Sequence, residues 1–468
     1  MISPAHGDGT RRISTGNREA DHILGGGFPA NSTNILMGEP GTGKTLFAEQ
    51  LLFHNADENN RALYLTTLSE PLSKVVTYLQ RFKFYDESKI GTSVVYEDVG
   101  EQLAREGPHI ILDHVREAIQ TIGPKILVVD SFRAIHDLST SVRAMRGLIS
   151  ELAGLLSAYE TTTFLVGEYR VQDIARYPEF AVADGIVEFA RQKRTTSDER
   201  FIRVSKLRGS GYREGLHGVH ITSEGLKVYP RLISPTIPTA YSTRRERLPT
   251  GVEGLDPMLG GGVWRGSTTL IAGPTGAGKT TIGLQFALAG VAQGEHSLYV
   301  NFQENPTQLA RVIDGLDPDA DSRERRGLHL LYASSVELQI DRVMVEIFDS
   351  IRAHGVRRVV IDAVGDLAMA AADPQRIHDF LYALVQRLTV EGITVLFVME
   401  DTVHGPLGSP GGHAEFGRLS YMCDNLLLLE IHRTDRLSRC ISVYKTRGSG
   451  HDEKVHGMTI TGSGVRVD

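Results

Sequence analysis

The chain is 468 residues long, enough for two or three domains that each bury a core, and its 41% hydrophobic and 23% charged residues are those of an ordinary soluble globular protein. A formal net charge of −7 gives no global pull toward nucleic acid, and the two cysteines, Cys423 and Cys440, lack metal-ligand spacing and speak against disulfides and zinc. Residues 1–12 are polar with no apolar signal segment, and no run approaches the roughly 20 apolar residues that span a bilayer, so a cytoplasmic location without a membrane partner is expected.

In chain order, Thr15-Gly16, Asp21, Leu24 and Gly25-Gly26-Gly27 come first, followed by the apolar run Ile35-Leu36-Met37. That run leads into Gly38-Glu39-Pro40-Gly41-Thr42-Gly43-Lys44-Thr45, a G-x-x-x-x-G-K-[ST] phosphate loop between a strand and a helix-like segment. Its glycines (Gly38, Gly41, Gly43) and Thr42 let backbone N–H groups converge on phosphate oxygens. Lys44 neutralises phosphate charge, and Thr45 offers a hydroxyl to Mg²⁺. Strands are expected at Ala62–Thr66, Ile126–Val129 and Thr162–Val166, apolar on both faces as a parallel sheet covered by helices requires.

Asp130 closes the second of these strands, where a carboxylate beside a phosphate loop can hold the Mg²⁺ shell; a helix cap or turn residue is the plainer reading. Glu70 follows the first strand and can polarise a water or hydroxyl that attacks the γ-phosphate, against the alternative of an exposed loop acid. Lys206 and Arg208, in Lys206-Leu207-Arg208-Gly209-Ser210-Gly211, alternate onto one face of a strand-like segment. They read either as a solvated sheet edge or as cations offered to a γ-phosphate, supplied from a neighbouring subunit because they lie so far from their own loop.

The chain then repeats itself. Three prolines in the nine residues from Pro230 to Pro238, and the run Ser242–Arg247, mark a seam. Beyond it Thr250-Gly251, Asp256, Leu259 and Gly260-Gly261-Gly262 reappear with a shift of 235, as does Lys279 for Lys44. The second phosphate loop is Gly273-Pro274-Thr275-Gly276-Ala277-Gly278-Lys279-Thr280, followed by Thr281. Strands are expected at Ser297–Asn301, Arg358–Ile361 and Thr394–Met399; Glu304 matches Glu70, Asp362 matches Asp130, and Lys445 and Arg447 match Lys206 and Arg208. The expected architecture is therefore α/β: two tandem doubly wound domains, residues 1–231 and 248–468, joined by a linker at 232–247. Two loops in the same context imply two bound nucleoside triphosphates, with Mg²⁺ held through Thr45 and Asp130 and through Thr280 and Asp362.

On these residues the chain resembles KaiC, the double-domain RecA-type ATPase of the circadian clock, from about Arg12 to Asp468. The specific marks are Thr-Gly…Asp…Leu-Gly-Gly-Gly before a phosphate loop, twice, and Lys445-Thr446-Arg447-Gly448-Ser449-Gly450-His451-Asp452 near the end. The resemblance implies two RecA-like domains, a two-tiered homohexamer with ATP between adjacent subunits, and Lys206, Arg208, Lys445 and Arg447 acting across those interfaces, joined by His451. Tyr212 stands where the first copy's histidine would be. It also implies a slow ATPase in the first domain and a serine/threonine autokinase and autophosphatase in the second, whose paired phosphosites fall on Ser420 and Tyr421. Tyrosine is bulkier than the threonine of that pair, which makes Ser420 the preferred acceptor.

Three departures qualify the resemblance. Ser69 and Gln303 stand where the family carries the first of two glutamates, so activity rests on the second of each pair, Glu70 and Glu304. The chain ends at Asp468, without the longer tail on which a KaiA-type activator docks, which argues against that partner; a KaiB-like partner on the first domain stays open. Two rival readings are carried: a RecA- or DnaB-type DNA motor, disfavoured by the negative charge and tandem cores, and a scaffold that ATP assembles with little turnover.

Overall fold

The computed structural model describes residues 11–67, 72–139, 141–193, 198–235, 246–317, 327–336, 338–369, 374–400, 419–433 and 436–468. Contacts divide the chain into two compact units, Met1–Arg231 and Leu232–Asp468. The linker expected at 232–247 lies mostly outside the described residues.

Each unit is built on a nine-stranded sheet with the same strand order. In the first unit the order across the sheet is Val94–Asp98, Ala62–Thr66, Ile126–Asp130, Thr162–Gly167, Thr33–Gly38, Gly185–Lys193, Asp198–Leu207, His217–Thr222 and Gly225–Tyr229. The first six run parallel and the last three form an antiparallel meander. In the second unit the order is Leu328–Tyr332, Ser297–Asn301, Arg358–Asp362, Thr394–Glu400, Thr268–Gly273, Asn425–Arg433, Leu437–Thr446, His456–Thr461 and Gly464–Val467. The fold is α/β, two tandem RecA-like domains, each a mostly parallel sheet flanked by helices.

The sequence explains why the parallel strands are central. Ile35, Leu36 and Met37 are all fully buried, as a strand covered on both faces must be. Alternation then sorts them: Leu36 joins the core beneath the phosphate-loop helix Lys44–Asn55, while Ile35 and Met37 join the core on the opposite face. That opposite core is covered in part by Val142–Ala158, whose buried Met145, Leu148, Ile149, Leu152 and Leu156 fall on one helical stripe. The Ser141 hydroxyl accepts from Ala144 N at 3.1 Å and fixes where this helix begins. In the second unit Ile340, Val343, Met344, Ile347, Phe348 and Ile351 make the corresponding stripe of Ile340–His354, which ends at Gly355 with φ 64°. Each fully buried Leu or Ile in these stripes contributes roughly 2 kcal/mol.

Parallel sheets with helices on both faces gather their functional residues at the carboxyl ends of the strands. Here those ends are Gly38, Thr66, Asp130 and Gly167 in the first unit, and Gly273, Asn301, Asp362 and Glu400 in the second.

Candidate functional sites at the strand carboxyl ends

Each phosphate loop is a strand end that turns sharply into a helix. Gly38 has φ 148°, and a Cβ there would lie 2.0 Å from the Phe189 carbonyl oxygen, so only glycine lets the loop strand pass its neighbour. Gly43 and Gly278 precede Lys44–Asn55 and Lys279–Ala292 with φ 103° and 100°, and neither helix start is capped by a side chain. Their first N–H groups therefore face into the loop, where an anion can meet them.

The lysines are held against the loop itself. Lys44 Nζ donates to Glu39 O at 2.9 Å, and Lys279 Nζ donates to Gly273 O and Pro274 O, both at 2.8 Å. Burial lowers the pKa of both, opposed by Glu168, Asp130 and Glu39 around Lys44 and by Glu400 and Asp362 around Lys279. The Thr42 hydroxyl donates to Glu39 O at 2.8 Å, and the Thr275 hydroxyl meets Glu400 Oε1.

The sheet order brings the loop threonine to the strand-end aspartate twice. Thr45 Oγ1 donates to Asp130 Oδ2 at 2.7 Å, and Thr280 Oγ1 to Asp362 Oδ2 at 2.8 Å. A tyrosine unnoticed in the sequence completes each group: Tyr64 Oη donates to the same Asp130 oxygen at 2.8 Å, and Tyr299 Oη to the same Asp362 oxygen at 2.6 Å. The two tyrosines keep the shift of 235, but so does the buried pair Leu63 and Leu298 beside them, so the repeat alone does not single them out. Asp362 is 9% exposed, and burial raises its carboxyl. Hydroxyl and carboxylate oxygens are hard donors suited to Mg²⁺, which takes one or two protein ligands and leaves its other positions to phosphate and water.

Glu304 lies near this group. Its carboxyl is raised by burial and then by the Asp362 charge, and among the described residues its Oε2 is buried with no hydrogen-bond partner. Gln303, one residue earlier, donates its amide to both oxygens of Asp366 at 3.1 and 3.0 Å. Glu70 and Ser69 lie outside the described residues.

The first site opens into a cavity of about 480 Å³ lined by Lys44, Thr45, Glu49, Tyr64, Asp130 and Glu168, among others. Glu49 is fully buried, accepts from Tyr96 Oη at 2.7 Å, and has its carboxyl pushed up to about 8 by burial. An ordinary glutamate ionises near 4.5. Between about 4.5 and about 8 the unfolded chain has lost a proton that the folded chain keeps, so this group makes stability fall as pH rises through that window. Glu49→Gln removes the penalty: its stability relative to wild type is expected to grow between about pH 4.5 and about pH 8, by on the order of 5 kcal/mol at most, in denaturant unfolding.

The basic pairs sit elsewhere. Lys206 pairs in register with Ile186 and Ile186 with Ile35, three residues before Gly38; Lys445 pairs with Leu426 and Leu426 with Leu270, three residues before Gly273. At about 3.3 Å per residue, both lysines lie about 10 Å back along the sheet from their own loop, and Arg208 and Arg447 lie further. A bulge next to each lysine, at Ser205 and Tyr444, interrupts the ladder. Lys445 Nζ donates to Ser420 O and Cys423 O at 2.8 and 2.7 Å, and Arg447 donates to Tyr421 O at 2.5 Å. Arg208 stands 3.5 Å from Asp184. Burial and then the neighbouring arginine lower the pKa of both lysines. His451 and Ser420 are half-buried, and Tyr212 donates to Ser205 O at 3.4 Å. Gly41, Gly276, Ala277 and Thr281 lie in or beside the loops as the sequence places them.

A family model described as "ATPase: KaiC" matches residues 13–233 and again 248–468. The circadian clock oscillator protein KaiC of Picosynechococcus is 26% identical over 98% of this chain and 90% of its own length. The same-named protein of Rippkaea orientalis is 27% identical over 98% and 89%. The circadian clock protein KaiC2 of Synechocystis is 26% identical over 97% and 81%.

Proposed function

The chain belongs to the KaiC ATPase family, and from that premise we propose that it is a slow Mg-ATPase whose active sites are completed between subunits of a homohexamer, with phosphoryl transfer to its own second domain. The observation that carries this reading is the separation within each unit. Loop lysine, loop threonine and strand-end aspartate meet at one end of the sheet, while the basic pair stands about 10 Å or more back along it. A cation that serves a γ-phosphate from there serves a neighbour's.

In the first copy, Lys44 and the backbone N–H groups of Gly41, Thr42 and Gly43 hold the phosphates, Thr45 and Asp130 hold Mg²⁺, and Glu70 orients the attacking water. In the second, Lys279 and the Thr275–Gly278 loop hold the phosphates, Thr280 and Asp362 hold Mg²⁺, and Glu304 is the base. Mg²⁺ held there would supply charge neutralisation to the bound phosphates. Tyr64 and Tyr299 orient the aspartates, leaving each one oxygen for the metal or its water. Lys206 and Arg208, and Lys445, Arg447 and His451, reach the neighbour's nucleotide. Lys445 spends two of its three N–H groups on the main chain around Ser420, which keeps the acceptor segment beside the cation that meets phosphate. The acceptor there is Ser420, and phosphorylation together with slow turnover makes the ring a signalling switch of the kind the relatives' names imply for those proteins.

The test is nucleotide binding and phosphate release by Lys44→Ala, Lys279→Ala and the double variant, with assembly followed by sedimentation. Each single variant is expected to lose one of two bound nucleotides per chain, and the double variant both nucleotides and the ring. Full phosphate release by the double variant would overturn the reading. So would ATP-dependent rings with negligible wild-type turnover, which mark a scaffold.

A further inference from the structure

The segment that carries Glu304 leaves the strand Ser297–Asn301 and is tied down at three points. Phe302 N donates to Asp362 O at 3.2 Å, across to the neighbouring strand. Asn301 Oδ1 accepts from Gln303 N at 2.9 Å and from Glu304 N at 3.0 Å. The third tie is the Gln303 side chain, whose Nε2 donates to both carboxylate oxygens of Asp366 at 3.1 and 3.0 Å. Asp366 stands on Val364–Met369, the short helix that follows Asp362, and is 8% exposed. Gln303 itself is exposed, so the contact reaches from the surface onto a buried charge. A carboxylate only accepts, which fixes the nitrogen end of the amide toward it, and a bond to a charged acceptor is roughly twice as strong as a neutral one.

The pair exists only in the second copy. The shift of 232 that relates Asp362 to Asp130 sets Ala134 opposite Asp366, and the shift of 234 sets Ser69 opposite Gln303. A glutamate at 303 would bring its carboxylate against that of Asp366, where two like charges disfavour each other. The neutral amide at 303 and the acid at 366 therefore belong together. Adjacent side chains then part: Gln303 goes to Asp366, while Glu304 feels the charge of Asp362. Tethering the first leaves the second little freedom, and a reacting group must be held to a fraction of an ångström. We propose that Asp366 is a positioning residue of the second-copy reaction: by holding Gln303 it fixes the segment under Glu304 and aims that carboxylate at the attacking oxygen. The inference rests on Glu304 as the base, as read above. Asp366 takes no proton and meets no phosphate; it acts through Gln303.

The experiment is phosphate release by the full chain across Mg-ATP concentrations, in an Asp130→Asn background that silences the first copy. Asp366→Ala, which installs what the first copy carries at this place, should lower kcat about 10- to 100-fold and leave KM within about twofold. Added to Glu304→Gln, the same change should cost less than about twofold, because there is no longer a base to aim. Gln303→Glu alone should lower kcat as Asp366→Ala does. Gln303→Glu together with Asp366→Asn exchanges donor and acceptor, and should recover most of the loss, which carries the test even where Asp366→Ala folds poorly. A loss from Asp366→Ala that is as large without Glu304 as with it overturns the inference and leaves the base standing. A changed KM with kcat intact also overturns it, by assigning Asp366 to nucleotide or metal binding. Failure of the exchanged pair to recover overturns the contact as the cause. Turnover unchanged in Glu304→Gln overturns the reading of the base, and the inference with it.

Discussion

Arg447→Ala is expected to lower ATP turnover in the second copy by about 1,000-fold or more while leaving nucleotide affinity at Lys279 within a few-fold of wild type. A cation that stabilises charge on a transferring phosphoryl group acts in the transition state and contributes factors of roughly 10³ to 10⁵. Lys would not replace it fully, because a guanidinium donates two parallel bonds to phosphate and an ammonium is a point charge. The substitution also frees Tyr421 O, so kinetics are to be read beside melting temperature. Arg447 is more than half exposed, which makes a large loss of stability unexpected. A turnover loss with an unchanged dissociation constant is the signature; equal weakening of both would mark Arg447 as a binding residue of its own subunit.

Glu304→Gln is expected to reduce second-copy turnover by about 10²- to 10⁴-fold, the range of a general base. The pH dependence distinguishes a base from a structural acid. Burial and the Asp362 charge hold the Glu304 carboxyl above its ordinary 4.5, and the base works only when ionised. Second-copy turnover should therefore fall as pH drops through a pKa above 4.5, and that acid limb should vanish in the Gln variant. Mg²⁺ bound beside Asp362 opposes the shift, so the limb should move to lower pH at saturating metal. Loss of activity with an unchanged limb would assign the limb, and the base, to another group.

The strands around the phosphate loops were legible because they are short apolar runs bounded by motifs. Ala62–Thr66 and Ser297–Asn301 are found with the expected bounds. Ile126–Val129, Thr162–Val166, Arg358–Ile361 and Thr394–Met399 each extend by one residue, since Asp130, Gly167, Asp362 and Glu400 still pair or lie in the ladder beside a neighbouring strand. Ladder length depends on the partner, which the run itself does not contain. Lys44, Thr45 and Asp130 were readable from one motif plus a repeat, and so were their counterparts. Tyr64 and Tyr299 were not, because each looks like a strand core residue until the sheet turns it toward the loop helix. Glu168 and Glu400 meet the loop only through the neighbouring strand: Glu400 is in register with Gly273. Gln303 and Asp366 are 63 residues apart and share no motif, and only packing of Val364–Met369 beside the end of Ser297–Asn301 makes them a pair.

Completion of each active site by its neighbour is tested most directly by mixing two inactive subunits. Lys279→Ala lacks the nucleotide side of the second-copy site and Arg447→Ala lacks the reaching cation, each in an Asp130→Asn background that silences the first copy. Alone, each should release little phosphate. Co-assembled, an Arg447→Ala subunit supplies bound ATP and an adjacent Lys279→Ala subunit supplies Arg447, so phosphate release should return. Mixed rings, verified by mass, that remain as inactive as either parent would contradict the account and place Arg447 in service of its own subunit.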